Sequence, residues 1–123
     1  YGDFVRRGAQ FMAIISNDGW WGDTPGYKHL FTISRLRAIE HRRAIARSAN
    51  TGMSGFISAR GDIGETLGWE KRGVISAAVP LNSELTFYTR YGDYLGRISE
   101  YLTLLCVLYY IAYRVKRKNY LVK

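Results

Sequence analysis

The sequence has 123 residues, 47% of them hydrophobic and 15% aromatic, which is enough for one domain with a small core and excludes a largely disordered chain. Its 18 Lys and Arg residues against 10 Asp and Glu give a net charge of +8, which favours anionic partners such as phospholipid headgroups or nucleic acid. The single cysteine excludes an internal disulfide and a cysteine-based zinc site.

The first elements predicted along the chain are a helix end and a buried strand. Residues 3–8 are typical of the end of a helix, with two arginines in its last turn and a glycine that stops it. "FMAIIS", residues 11–16, is a short apolar run bounded by glycine and a turn, which predicts a fully buried strand. The stretch "NDGWWGDTPG", residues 17–26, then follows the carboxyl end of that strand, where layered α/β proteins tend to place ligands.

A long helix is predicted next, over residues 28–48, because "KHLFTISRLRAIEHRRAIARS" contains many helix formers and neither Gly nor Pro. Apolar residues occur around more than one side of this helix, which predicts that it is covered on several sides, as in a layered sandwich. Glu40 is in reach of Arg37 and Arg43 at a spacing of three, which favours a structural ion pair over a proton donor. One broad face of the predicted helix carries Leu30, Phe31, Ile33, Arg37, Ala38, His41, Ala44 and Ile45.

Two further strands are predicted after the "NTG" that ends the long helix. "MSGFISAR", residues 53–60, and "GVISAAVPL", residues 73–81, are short apolar segments separated by a "GDIG" turn and a charged stretch. The element order is therefore helix, strand, long helix and strands, which is an α/β arrangement.

The last segment combines an apolar run with a basic end. Residues 101–113 carry no charge, and residues 114–123 are rich in Lys and Arg. Thirteen residues as a helix span only roughly 20 Å against a hydrocarbon core of about 30 Å, so a membrane span needs upstream residues from Tyr94 and must accommodate Arg97 and Glu100. From the pattern alone, a membrane helix with tyrosines at both ends and a buried C-terminal helix of a soluble domain both remain open.

No complete catalytic set is visible in the sequence. His29 and His41 are the only histidines and lack the neighbouring ligands of a metal site, so we expect no metal. The glycines of "GDIGETLG" are not followed by a Lys-Ser/Thr pair, so we expect a hairpin turn there and no cofactor. The arginines of the long helix are spread around it, which argues against a nucleic-acid partner.

Three motifs together resemble a known family. "RLRAIEHRRAIARSANTG", residues 35–52, resembles the helix and following N-x-G turn of the nitrilase, or carbon-nitrogen hydrolase, superfamily. "SNDGWWGDTPG" before it and "LTFYTRYGDYL", residues 85–95, after it resemble one branch, the bacterial apolipoprotein N-acyltransferases, which are integral membrane enzymes with a periplasmic nitrilase-like domain. The three motifs occur in the order that they have in that family.

The resemblance implies a fold and a location. It implies an α/β fold in which residues 1–90 are the C-terminal part of a nitrilase-like α-β-β-α sandwich on the periplasmic side. Residues 91–113 would be the last transmembrane helix of a multi-pass protein of the bacterial inner membrane, and residues 114–123 a basic cytoplasmic tail.

The resemblance also implies an activity whose catalytic residues lie outside this chain. Family enzymes transfer an acyl chain from a phospholipid to the N-terminal diacylglyceryl-cysteine of an apolipoprotein, through a thioester on a cysteine, with a Glu as base and a Lys that stabilises the oxyanion. In the family that cysteine precedes the position of Tyr1, and the Glu and Lys lie further upstream; Cys106 belongs to the membrane segment and cannot replace it. We therefore interpret the chain, which has no signal-peptide pattern, as a C-terminal piece that is inactive alone.

The candidate substrate-binding residues are Asn17, Asp18, Trp20 and Trp21, on the loop after the first strand. By the resemblance, Trp20 and Trp21 meet acyl chains or the membrane interface, where Trp is favoured. The alternative is that both rings fold back over the strand end as a lid on the core. Two other functions stay open, a nitrilase-like amidase with a C-terminal membrane anchor and a basic module that binds anionic membranes.

Overall fold

The computed structural model describes residues 1–121, and for residues 115 and 118–121 the backbone alone. The chain divides into two compact units, Tyr1–Arg90 and Tyr91–Lys123. The first unit is a mixed α/β structure, and most of the second is one long helix. In chain order the helices and strands are α1 (Gly2–Arg6), β1 (Met12–Ser16), a 3-10 turn (Gly19–Trp21), α2 (Pro25–His41), β2 (Ile45–Ala49), β3 (Ser54–Ile57), β4 (Ile63–Leu67), α3 (Phe87–Tyr91) and α4 (Tyr94–Leu121).

The four strands form one sheet in the order β1-β2-β3-β4. β1 and β2 are parallel, with Ser16 opposite Ala49, and α2 is the crossover between them. The pairs β2–β3 and β3–β4 are antiparallel. Because β1 and β2 are parallel and in register, the loops that follow them, residues 17–24 and 50–53, leave the sheet side by side.

The core lies between α2 and one face of the sheet, where Phe31 and Ala38 pack with Ile45 and Ile57. On β1, burial alternates along the strand, and Ile15 is 92% exposed. The prediction of a fully buried first strand is therefore wrong for the described residues. β1 pairs with β2 alone in this sheet, at its edge, and α2 covers one face of it.

The predicted long helix begins three residues too late and ends seven residues too late. α2 ends at His41, and Arg42 takes a left-handed conformation with φ of 51° as its C-cap. Residues 45–49 form β2, because pairing with β1 and β3 outweighs their helix propensity. Leu36 and Ile39 are exposed, so α2 is not covered on a second side within the described residues.

The strand predicted at residues 53–60 is confirmed as β3, but its hairpin partner differs from the prediction. That partner is β4, residues 63–67, whereas residues 73–81 have no regular secondary structure. The hairpin closes through Ser58, whose backbone N–H donates to the carbonyl of Asp62 at 2.9 Å. β4 gave little signal because its "IGETL" is polar and mostly exposed.

Arg37 and Glu40 form the contact that their spacing indicates, with Arg37 Nη1 2.6 Å from Glu40 Oε2. Arg43 does not join them. Because the left-handed Arg42 ends the helix, Arg43 turns inward and is fully buried. Its guanidinium donates to the backbone carbonyls of Ala9, His41, Arg42 and Glu84 at 2.8 to 3.2 Å.

The second unit contains α4, which begins at Tyr94 and continues through Leu121. Its segment Tyr94–Arg114 has 21 residues and contains an 18-residue window with a mean hydropathy of 1.3, so it is long and apolar enough to cross a membrane. α4 thus begins at Tyr94 and includes the residues upstream of 101–113 that a membrane span requires. The last two residues of the predicted tail lie outside the described part of the chain.

Candidate functional site

The candidate site is the loop of residues 17–24, here called the aromatic loop, between β1 and α2. A 3-10 turn carries Trp20 and Trp21, and Gly22 follows with a φ of 58°, a conformation that favours glycine. Thr24 then caps α2, since its hydroxyl oxygen accepts the N–H of Gly26 at 3.3 Å and donates to the carbonyl of Trp21 at 2.7 Å. The loop is thus a structured connection between a strand end and a helix start.

The two tryptophans have different surroundings. Trp20 is 87% exposed, so within the described residues it does not form a lid on the core. Trp21 is 51% exposed and lies against the first turn of α2, where a Cβ placed on Gly26 would be 2.5 Å from its ring. Gly26 is therefore required for the close approach of Trp21, while Trp20 projects from the loop.

Asp18 is the buried anchor of the loop. Its side chain is fully buried, and both carboxylate oxygens lie 3.0 Å from Nη2 of Arg47 on β2. The Ser16 hydroxyl also donates to Asp18 Oδ1. Arg47 in turn donates through Nη1 to the Ser34 hydroxyl of α2 at 3.2 Å. One buried ion pair therefore joins β1, α2 and β2.

Asn17 and Asn50 connect the loops that follow β1 and β2. Asn50 Nδ2 donates to Asn17 Oδ1 at 2.7 Å, and Asn50 Oδ1 accepts the backbone N–H of Asp18 at 3.0 Å. Asn17 Oδ1 also accepts the N–H of Gly19 at 3.2 Å. The "NTG" that was expected to end the long helix instead braces the aromatic loop.

A second buried polar cluster surrounds His41 at the end of α2. The His41 ring stacks on Tyr1 with centroids 5.0 Å apart, and its Nδ1 lies 2.8 Å from the Thr89 hydroxyl. Burial lowers the pKa of His41, and the charge of Arg37 lowers it further. Burial raises the pKa of the Tyr1 phenol to about 12. This cluster keeps His41 neutral at neutral pH.

The remaining candidates from the sequence are not brought together. His29 is exposed on α2, far along the helix from His41. Across residues 1–121, no group of three or more His, Cys, Asp and Glu side chains could hold a metal ion. Burial lowers the pKa of the Arg43 guanidinium, whose partners are backbone carbonyls in place of the predicted Glu40.

Comparison with known proteins identifies the family. The carbon-nitrogen hydrolase family matches residues 3–85, which include both loops and the whole sheet. The chain belongs to the carbon-nitrogen hydrolase family. The predicted class, an α/β unit of this family followed by a long apolar helix, is confirmed.

The chain is also similar to enzymes named apolipoprotein N-acyltransferase. It is 48% identical to that of Chlorobaculum tepidum over 73% of this chain and 17% of the relative. It is 43% identical to that of Rhizobium meliloti over 63% of this chain and 15% of the relative. It is 31% identical to that of Thermotoga maritima over 85% of this chain and 21% of the relative. The chain thus spans about a sixth to a fifth of the length of these relatives, and the resemblance to this branch found in the sequence is confirmed.

Sequence reasoning missed the residues that support the aromatic loop. Arg47 was placed inside the long helix, Ser34 was given no role, and Gly52 was assigned only to the turn that ends the helix. The available signal was the "RSANTG" run, in which the arginine belongs to a short segment that could be a strand and the asparagine and glycine follow that segment. This signal was missed because residues 45–48 also have the composition of a helix.

Proposed function

We propose that this chain is part of a membrane-bound apolipoprotein N-acyltransferase. The enzyme transfers an acyl chain from a phospholipid to the N-terminal diacylglyceryl-cysteine of apolipoproteins during lipoprotein maturation. The reaction passes through a thioester on a cysteine that precedes Tyr1, so the chain alone is inactive. The similarity to relatives of that name, at up to 48% identity within a matched carbon-nitrogen hydrolase region, carries the proposal.

The exposed part of the aromatic loop suits a lipid substrate. Trp20 offers a large apolar ring at the carboxyl end of the parallel strands, where ligands of α/β proteins bind. Burying such a ring against an acyl chain is favourable, because its apolar area leaves water. In this proposal Trp20 contacts the acyl chain, and Trp21 and Asn17 complete the binding surface. Asp18, the fourth residue expected to bind substrate, is fully buried against Arg47 and is assigned a supporting role in the loop.

The apolar helix supports a membrane location. α4 supplies a 21-residue segment able to span the bilayer, and basic residues follow it. Basic segments favour the cytoplasmic side, which would put the α/β unit of residues 1–90 on the periplasmic side of the inner membrane. In this proposal residues 91–113 are the last transmembrane helix, and residues 114–123 are the cytoplasmic tail.

The proposal is tested first by the sequence upstream of Tyr1. A cysteine within about ten residues is expected, because the thioester must form beside the aromatic loop. The purified full-length protein is then incubated with phosphatidylethanolamine and a diacylglyceryl-cysteine peptide, and the triacylated product is measured by mass spectrometry. Absence of the cysteine, or absence of transfer by a folded protein, refutes the proposal.

Trp20→Ala tests the site within the same assay. We expect kcat/KM to fall by about fivefold to thirtyfold, since the ring supplies on the order of 1 to 2 kcal/mol of contact with the acyl chain. Trp20→Phe should retain most of the activity, and Ile63→Ala, at a half-exposed apolar residue of β4, is the matched control. Parental activity in Trp20→Ala would mean that the ring has no contact with substrate.

An amidase with a membrane anchor is the second candidate, favoured by the family match itself. It predicts hydrolysis of small amides without acyl transfer to the lipopeptide. A basic module that binds anionic membranes would show neither reaction and would bind anionic vesicles with strong salt sensitivity. The same purified protein distinguishes the three functions.

A further inference from the structure

The aromatic loop is fixed at one buried point, the carboxylate of Asp18. Asp18 is fully buried although its neighbours Asn17 and Gly19 are exposed. A buried carboxylate is stable only when its charge is matched by donors such as those from Arg47 and Ser16. The loop conformation therefore depends on Arg47 reaching this carboxylate.

The backbone of Asp18 extends this anchor to both sides of Trp20. The Asp18 carbonyl accepts the N–H of Trp21 at 3.1 Å, and the Asp18 N–H donates to Asn50 Oδ1 at 3.0 Å. Trp20 itself is 87% exposed, so the surrounding protein contributes little to holding its ring. The direction in which Trp20 points is thus set by the backbone that Asp18 anchors.

Arg47 is itself held by a different element. Its Nη1 donates to the Ser34 hydroxyl at 3.2 Å, and that hydroxyl donates to the carbonyl of Leu30 one turn earlier in α2. The Arg47 side chain is 4% exposed, and its contact with Ser34 holds the guanidinium in place from the side of α2. The Asp18–Arg47 ion pair therefore fixes the mostly exposed aromatic loop to α2 and β2.

We propose that Arg47 and Asp18 form a buried latch that positions Trp20 for its substrate. Both act as positioning residues, and Asp18 does not contact the substrate. The activity part of this inference rests on the function proposed above. Its structural part, the order of the aromatic loop, does not, so the two can fail separately.

The test uses the full-length protein in detergent. Hydrogen–deuterium exchange, read by mass spectrometry, is compared for peptides covering residues 17–24 and residues 30–38. The variants are Asp18→Asn, Arg47→Met and the double variant. Arg37→Met, which removes the partly exposed ion pair to Glu40, is the matched control.

We expect Asp18→Asn and Arg47→Met each to speed exchange in residues 17–24 by at least about tenfold, since a buried charge-assisted contact is lost. Residues 30–38 should change by less than about twofold, and Arg37→Met should leave the loop at the parental rate. The double variant should resemble the stronger single variant, because the two residues act as one unit. The loss of acyl transfer should appear mainly as a higher KM for phospholipid, with kcat less affected.

Three results would overturn the latch: parental exchange in residues 17–24 of both single variants, effects that multiply in the double variant, or a loss confined to kcat. If Asp18→Asn does not fold, Ser16→Ala decides, since it removes one donor to the carboxylate and leaves the charge pair. It should speed exchange in the same peptide by about twofold to tenfold, the range of one net hydrogen bond. No change there refutes the latch. Altered exchange in the variants, together with absence of acyl transfer by the folded parent protein, supports the latch and refutes the proposed function.

Discussion

Replacement of Gly52 by alanine should break the buried ion pair without touching either partner. A Cβ on Gly52 would lie 2.1 Å from Asp18 Oδ2 and 2.7 Å from its Cγ. Non-bonded heavy atoms are about 3.5 Å apart at optimal separation, so the carboxylate would have to move by more than about 1 Å. Its oxygens lie 3.0 Å from Arg47, and that displacement leaves a buried guanidinium without its counter-charge.

The magnitude follows from the burial of both partners. Breaking a buried pair costs about 3 to 5 kcal/mol, which lowers the Tm of a domain of about 150 to 250 residues by roughly 6 to 20 °C. Thermal unfolding of the full-length protein in detergent, followed by circular dichroism, measures this shift. Gly68→Ala is the matched control, because a Cβ there meets no atom within 4 Å. Equal Tm values for Gly52→Ala and Gly68→Ala would refute the reasoning.

Two other variants test the buried groups around the end of α2. Arg43→Met should lower the free energy of unfolding by about 3 kcal/mol, because it leaves buried backbone carbonyls without their charged donor. Arg60→Met, at an exposed arginine, should change the free energy of unfolding by less than about 0.5 kcal/mol. Equal effects of the two substitutions would contradict this role of Arg43. His41 has a lowered pKa, so its stabilising contribution is complete above the ordinary value of 6.5 and is lost as pH falls through the folded pKa. The Tm of the parent should therefore fall more steeply below pH 6.5 than that of His41→Gln, and equal slopes would show that another group is responsible.

The part of the fold that the sequence predicts well is the part with strong local signals. The apolar run of β1, most of α2 and the apolar C-terminal helix were each recognisable from composition and period. The end of α2 was not, since Arg42 adopts a left-handed conformation without being Gly or Asn. Residues 45–49 form a strand because they pair with β1 and β3, and this non-local effect is not visible in the local sequence.

The position of the candidate site could be predicted from the sequence, but the contacts that hold it in place could not. The tryptophans after β1 marked the loop, because apolar rings in a polar turn are unusual. Arg47 could not be assigned from the sequence, since its partner Asp18 is 29 residues away and the two meet only when the crossover is complete. Arg43 misled for the same reason, as its spacing from Glu40 has meaning only if the helix continues.

That separation of 29 residues also bears on the order of events in folding. Helical turns such as those of α2 form rapidly from local contacts, whereas joining Asp18 to Arg47 requires closure of the whole crossover first. During synthesis, the tryptophans emerge before the arginine that will anchor their loop. We expect the aromatic loop to be among the last segments of its unit to reach the native state, and until then its rings are available to chaperones and to the bilayer.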